Sequence, residues 1–186
     1  MSGLQSALDE LAAEDVDGMT DAETLDRAAL LVAVQNRIAA ELTRTVRHGE
    51  SRQAAERDGL ASMRSWLIGH ARLAPNEASK LLRAGRTLPH FPQLAAGFAA
   101  GEVTAEQVDV VARVVGPGEV AAAAEQGVDL DGFDEAWTVV ATSSPHASLA
   151  VAVRAFEEAL DPDGPEPDPT EGRRLSIAKH LSLIHI

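Results

Sequence analysis

The chain has 186 residues, no cysteine and only 3% aromatic residues, a length that suits one domain or somewhat more. The lack of cysteine excludes disulfide scaffolds, thiolate zinc sites and a cysteine nucleophile. No apolar run approaches the roughly 20 residues that span a bilayer, and residues 1–11 lack the features of a secretory signal, so we expect a cytoplasmic protein with no membrane partner.

The net charge of −13 is distributed unevenly along the chain. Residues 1–43 carry a balance of −7, residues 44–90 of +5, residues 91–172 of −14 and residues 173–186 of +3. A basic block between two acidic ones points to an anionic partner. The alternative is a solvated helix face that pairs with acidic segments of the same chain, because charge by itself argues for solubility and association.

The first part of the chain predicts two helices. Residues 4–14 have apolar side chains at helical spacing and predict a short amphipathic helix. Thr20 followed by Glu23 forms a capping-box pattern, which predicts that a long helix begins there and runs to about Arg47. We expect this helix to bury one stripe of side chains, formed by Leu31, Val34, Ile38, Leu42 and Thr45.

Shorter helices follow, separated by turn residues. Pro75, Thr104 and Ser144 each stand where they favour the start of a helix. Apolar periodicity predicts helices over residues 60–71, 76–88, 92–101, 105–115, 120–126, 133–142 and 145–160. Residues 161–172 hold four of the nine prolines and predict a linker, and residues 173–178 alternate as a short strand does.

These elements predict an all-α fold, a bundle of about eight helices with one long N-terminal helix and a short strand-like tail at the C-terminus. We divide the chain into an N-terminal helix and linker (1–19), a helical domain (20–160), an acidic Pro/Gly linker (161–172) and the start of a following segment (173–186).

Catalytic motifs are not found in the sequence. The six histidines include no pair at the three- or four-residue spacing that places two metal ligands on one helix face. There is no nucleophile elbow, phosphate-cradling loop or dinucleotide fingerprint. Carboxylates such as Asp134 are interpreted as exposed residues near helix starts. We therefore expect no catalytic residue, no metal site and no cofactor in this chain.

The basic block contains two predicted helices joined by a tight turn at residues 72–75, an arrangement that DNA-binding proteins use. Lys and Arg on the second helix would neutralise phosphates, and Asn would read base edges. The candidate residues for binding nucleic acid are Arg72, Asn76, Ser79, Lys80, Arg83 and Arg86. The match is partial, because Arg72 occupies a turn position that usually holds Gly, and a structural hairpin with solvated arginines is the alternative.

An ordered series of short motifs adds to this interpretation. It comprises Asp58-Gly59-Leu60, Trp66-Leu67, Leu73-Ala74-Pro75-Asn76-Glu77-Ala78, Leu81-Leu82-Arg83, Leu88-Pro89, Ala100-Gly101-Glu102-Val103-Thr104, Leu160-Asp161-Pro162-Asp163-Gly164 and Arg173-Arg174-Leu175-Ser176-Ile177. Over roughly residues 20–180 the chain thereby resembles the family of domain of unknown function 222 (DUF222). The resemblance implies a helical domain of high-GC bacteria that often stands before an HNH nuclease domain and has no established activity of its own.

The chain departs from the family pattern at two places. Ala74 stands where the family usually has Ser, which removes a helix cap worth about 1 kcal/mol. Residues 182–186 end the chain where the family continues, and we interpret this as a truncation or a non-native tail. Any nuclease residues would then lie on the missing part.

Three functional interpretations follow. We prefer a non-catalytic module that helps an HNH-type protein to hold double-stranded DNA. That role requires the basic side chains to form one solvent-facing surface and not to pair with neighbouring carboxylates. The alternative is a protein-interaction or oligomerisation scaffold that self-associates through the long helix, with no role in binding nucleic acid. The third is an enzyme with an unrecognised carboxylate site.

Overall fold

The computed structural model describes residues 2–160, and over this range ten α-helices follow one another with no strand. A single 3-10 turn, Leu88–His90, precedes the sixth of them. The helices are α1 Ser2–Ala13, α2 Asp21–Ser51, α3 Ala54–Arg57, α4 Met63–Gly69, α5 Pro75–Thr87, α6 Pro92–Ala100, α7 Ala105–Val114, α8 Pro117–Gln126, α9 Leu130–Ser143 and α10 His146–Leu160. The all-α prediction is confirmed, and the strand-like pattern at 173–178 lies outside the described residues.

Local capping contacts fix several helix starts. At α2 the Glu23 backbone N–H donates to Thr20 Oγ1 (3.3 Å), and the Thr20 backbone N–H donates to Glu23 Oε2 (2.8 Å). The same reciprocal pair forms between Thr104 and Gln107 at the start of α7, so both capping-box predictions are confirmed. By contrast, α5 follows Ala74 without a side-chain cap.

The main cluster of buried side chains lies among helices α5 to α10. Its largest fully buried members are Trp137, Phe91, Phe98 and Phe156. Phe133 packs at its edge, with its ring centroid 5.4 Å from that of Trp137 and 5.3 Å from that of Phe156. Five of the six aromatic side chains therefore lie in one cluster. Together they fill a large part of the core, although the sequence contains few aromatic residues.

A small cluster joins the C-terminal part of α2 to α4 and α5. It consists of Val46, Leu67, Ala78 and Leu82. Trp66 is partly buried against this small cluster and donates its indole N–H to Asp58 Oδ2 at 3.2 Å. The helical hairpin of α4 and α5 is thus attached to the long helix by apolar packing.

The face of α2 that packs on the rest of the protein is opposite to the one we predicted. Buried on α2 are Asn36, Thr43 and Val46, whereas Leu31, Ile38 and Leu42 are 39%, 43% and 42% exposed. The buried face carries small side chains such as those of Ala39 and Ala40, which lie against the main cluster. Small residues let neighbouring helices approach closely, and this close approach decides which face is covered.

Close approaches at two glycines support this arrangement. A Cβ on Gly85 of α5 would lie 3.0 Å from Arg47 Cβ, and a Cβ on Gly101 would lie 2.5 Å from the Ala33 carbonyl oxygen. The Asn36 amide also donates to the Gly101 carbonyl at 3.2 Å, which satisfies a buried polar side chain. The loop after α6 is thereby held against α2.

Asp134 is buried, and our expectation of an exposed carboxylate is wrong. Its two oxygens accept the backbone N–H groups of Gln93 (2.7 Å) and Leu94 (2.9 Å) in the first turn of α6. These amides have no partner within their own helix, because a helix leaves its first N–H groups free. A carboxylate of α9 therefore caps α6.

Candidate interaction surfaces

The turn between α4 and α5 presents two of the six predicted residues to solvent. Arg72 is exposed and adopts a positive φ of 58°, the left-handed conformation that favours Gly. The Leu73 backbone N–H donates to the Leu67 carbonyl at 3.1 Å, which closes the turn after α4. Asn76 is exposed in the first turn of α5, one turn before Ser79 and Lys80.

Lys80 and Arg83 both pair with carboxylates. Lys80 Nζ lies 2.9 Å from Glu77 Oε1, and this hydrogen bond raises the pKa of Lys80. Arg83 Nη2 lies 2.7 Å from Asp109 Oδ1, and Arg113 Nη2 lies 2.7 Å from Asp109 Oδ2. The nearly buried Asp109 carboxylate thus holds two guanidinium groups and ties α5 to α7.

Arg86 is held by a carboxylate at the end of α2. Its Nε lies 3.1 Å from Glu50 Oε1, and its Nη2 also contacts that oxygen. The hydrogen bond with Arg86 is the main cause that lowers the pKa of Glu50, and it raises the pKa of Arg86 in turn. Arg47 joins the same carboxylate at 3.2 Å. Two cations of the basic block therefore share one acidic partner.

One groove nevertheless collects part of the predicted set. It has a volume of about 460 Å³, and arginines and hydroxyl groups line it together with two carboxylates. We call it the arginine groove; its polar lining residues are Glu50, Glu56, Ser62, Arg64, Ser79, Arg83 and Arg86. Lys80 lines a different cleft with Asp109, and Arg72 and Asn76 lie outside the groove. Ser79, Arg83 and Arg86 are therefore brought together, and the other three predicted residues are not.

Arg64 is the one basic side chain of the arginine groove that is not among the six predicted residues. Its Nε donates to Ser79 Oγ at 3.1 Å and its Nη2 to the Pro75 carbonyl at 3.4 Å. Over residues 2–160 it forms no ion pair, unlike Arg83 and Arg86. The only signal for it in the sequence is its membership of the basic block.

A second surface runs along the outer side of α2, facing away from α5 and α6. We call it the outer stripe and define it by the residues first expected to be buried, Leu31, Val34, Ile38, Leu42 and Thr45. Val34 is half-buried and the other four are exposed. Spacings of three and four residues place all five on one side of the helix.

The described residues, 2–160, hold neither a cluster of three metal-ligating side chains nor a membrane-spanning helix. Residues 2–160 contain no group of three His, Asp or Glu side chains that could hold a metal ion. None of the helices in this range has the length and apolar character needed to cross a bilayer. His180 and His185 lie outside the described residues.

Comparison with known proteins gives one match. The model of a family described as a domain of unknown function (DUF222) matches residues 18–183. Neither a curated protein nor a solved structure matches the chain significantly.

Proposed function

Since the chain belongs to the DUF222 family, whose description names no activity, we propose from its surfaces that this helical domain is a non-catalytic scaffold that joins two copies of the chain through the outer stripe of α2. The observation that carries the proposal is the exposure of Leu31, Ile38 and Leu42 on one side of a 31-residue helix, on which Leu25, Leu30 and Val32 are also exposed outside the outer stripe. Self-association has stronger geometric support than DNA binding.

The stripe has the spacing of a helix–helix contact. Leu31, Val34, Ile38 and Leu42 are separated by three, four and four residues, which is the seam pattern of packed helices. Soluble monomers rarely expose large contiguous apolar patches, and such patches usually mark interaction sites. Burial of each side chain against a second copy would remove it from water at a gain of about 25 cal/mol per Å².

Ion pairing weakens the competing interpretation of a broad DNA-binding face. Five of the nine basic side chains between residues 44 and 90 form ion pairs, namely Arg44, Arg47, Lys80, Arg83 and Arg86. A phosphate that binds them competes with a carboxylate already in place. DNA binding at Lys80, Arg83 and Arg86 therefore requires a phosphate to share or displace a carboxylate partner.

Analytical ultracentrifugation of the full chain tests self-association. We expect a dimer that dissociates on dilution, and Ile38→Asp should weaken it at least tenfold, because one buried unpaired charge costs more than 1.4 kcal/mol. The matched control is Val139→Asp, which places the same charge on an exposed valine of α9. A monomeric wild-type chain at about 200 μM would contradict the proposal.

DNA binding is the second candidate function, and the arginine groove is the observation that favours it. Carboxylates hold Arg83 and Arg86 in place but leave other guanidinium N–H groups free, and Arg64 lies beside them. Phosphate groups of duplex DNA fit such donors because guanidinium binds phosphate through paired hydrogen bonds. The association with an HNH nuclease stays a prediction that rests on the family resemblance.

A salt titration of duplex binding tests the second candidate. Arg64→Ala should lower the affinity and reduce the slope of log K against log salt by about one unit, because one phosphate contact is lost. Lys80→Ala is the control, since Lys80 lies in another cleft and pairs with Glu77. Equal effects of the two substitutions would exclude the groove as the binding site.

A further inference from the structure

Resting on the proposed self-association, we infer that the two copies of α2 run antiparallel, with a two-fold axis that passes beside Ile38. Each copy then places the acidic end of its α2 and the attached α1 against the C-terminal end of the other copy's α2.

The outer stripe is symmetric about Ile38. Leu31 and Thr45 stand seven residues on either side of Ile38, and Val34 and Leu42 stand four residues on either side. An antiparallel pair with its axis at Ile38 therefore matches Leu31 with Thr45, matches Val34 with Leu42 and packs Ile38 on itself. Two-fold dimers need such a self-complementary surface, in which residue i contacts j and j contacts i.

Charge decides between the antiparallel and the parallel arrangement. Residues 1–26 carry eight acidic and no basic side chains, whereas residues 41–58 carry four basic and four acidic ones, and Arg44 and Arg47 pair with Glu41 and Glu50 of their own copy. Arg27 holds α1 at the acidic end, because its Nη2 donates to the Leu11 carbonyl at 2.8 Å and its guanidinium pairs with Glu14. Parallel helices would set two acidic ends side by side, whereas antiparallel helices place each acidic end beside a segment without net charge.

The surroundings of Leu31 and Thr45 fit this arrangement. Leu31 borders a cleft with α1 that Glu14, Glu23 and Asp26 also line. Thr45 borders a cleft with α3 and α4 that is lined by His48, Arg57, Asp58 and Trp66. The Asp58 carboxylate already accepts the Trp66 indole N–H, while Arg57 is exposed. Matching Leu31 with Thr45 therefore sets Asp26 of one copy, which forms no ion pair over residues 2–160, near Arg57 of the other.

The same neighbours limit the contact to a short segment. The stretch from Leu31 to Thr45 is roughly 21 Å long at 1.5 Å per residue. Such a contact lies at the small end of specific interfaces, near or below about 1,000 Å² in total. We therefore expect a dimer that exchanges subunits readily, so that two different cysteine variants form mixed dimers when they are combined.

Single cysteines test the orientation directly, because the natural chain has none. Under mild oxidation Ile38→Cys should form a covalent dimer, since the two thiols meet at the axis. Leu31→Cys alone should not, because its two copies would lie roughly 21 Å apart, well beyond the roughly 7 Å between Cα atoms that a disulfide spans. A mixture of Leu31→Cys and Thr45→Cys chains should form a mixed disulfide.

Leu25→Cys is the control, because Leu25 is 71% exposed and lies outside the outer stripe. It should cross-link no faster than chance collision at the same concentration allows. A disulfide between two Leu31→Cys chains would overturn the antiparallel orientation while leaving the dimer intact. A wild-type dimer in which Ile38→Cys fails to cross-link would overturn the position of the axis, and a monomeric wild-type chain would overturn the proposed function itself.

Discussion

Asp134 caps α6 from a different helix, and its replacement should strongly destabilise the fold. The side chain is 1% exposed and accepts the backbone N–H groups of Gln93 and Leu94 at 2.7 and 2.9 Å. A hydrogen bond to a charged group contributes about 1.5–3 kcal/mol, and a buried amide left without a partner costs about 1–3 kcal/mol. Asp134→Asn keeps one acceptor, so we expect a loss of about 2 kcal/mol, whereas Asp134→Ala removes both acceptors and should cost about 4 kcal/mol.

The assay is urea unfolding of the full chain followed by far-ultraviolet circular dichroism, from which the free energy of unfolding is extrapolated. Glu135→Gln is the matched control, because it makes the same charge change at the next, exposed position of α9. Its effect should stay within about 0.5 kcal/mol. If Asp134→Asn and Glu135→Gln give equal losses, the capping role of Asp134 is refuted.

Three further outcomes are expected for variants of the chain. Gly101→Ala should cost at least about 2 kcal/mol in thermal or urea unfolding, because Gly101 has a φ of 88° and a Cβ there would clash with the Ala33 carbonyl oxygen. Arg72→Gly should raise the free energy of unfolding by about 0.5 kcal/mol, since it relieves a positive φ; a loss would argue against the left-handed turn. Arg86 lowers the pKa of Glu50 from its ordinary value of 4.5, so this contact stabilises the fold above that pH and is lost as the pH falls through the lowered pKa. Glu50→Gln should therefore flatten the pH dependence of unfolding below about pH 4.5.

The starts of α2 and α7 could be predicted from the sequence because the contacts that fix them are local, whereas α8 and α9 each begin three residues before the predicted start. The capping boxes at Thr20 and Thr104 each need only a partner three residues later, and both form as expected. Helix α4 begins at Met63 and not at residue 60 as predicted, because the Ser62 side chain caps the helix at that point. The four-residue helix α3 was not predicted, since a segment so short carries no periodicity.

The buried face of α2 could not be predicted, because the helix carries apolar side chains on two sides. Periodicity favoured the side with the larger aliphatic residues. The structure instead covers the side where Asn36 reaches the Gly101 carbonyl, 65 residues further along the chain. Packing at this distance in sequence depends on the close approach at Gly101, and no local pattern indicates it.

The same limit applies to the predicted nucleic-acid residues. The positive charge of α5 was visible in the sequence, but the acidic partners were not. Arg86 pairs with Glu50, 36 residues earlier, and Arg83 pairs with Asp109, 26 residues later. A charge pattern in the sequence predicts ion pairs only between residues within one or two helical turns of each other. The ion pair of Lys80 with Glu77 could therefore be predicted, whereas those of Arg83 and Arg86 could not.

The two hydrophobic clusters each contain or adjoin one of the only two tryptophans of the chain. Trp137 lies fully buried in the main cluster, and Trp66 lies partly buried against the small one. Intrinsic tryptophan fluorescence therefore reports on each of the two clusters without an added label. In a Trp66→Phe chain, the tryptophan fluorescence would come from Trp137 in the main cluster alone. Comparing the thermal melting curves of this variant and the unaltered protein, both followed by fluorescence, would show whether the hairpin of α4 and α5 detaches before the remaining helices unfold.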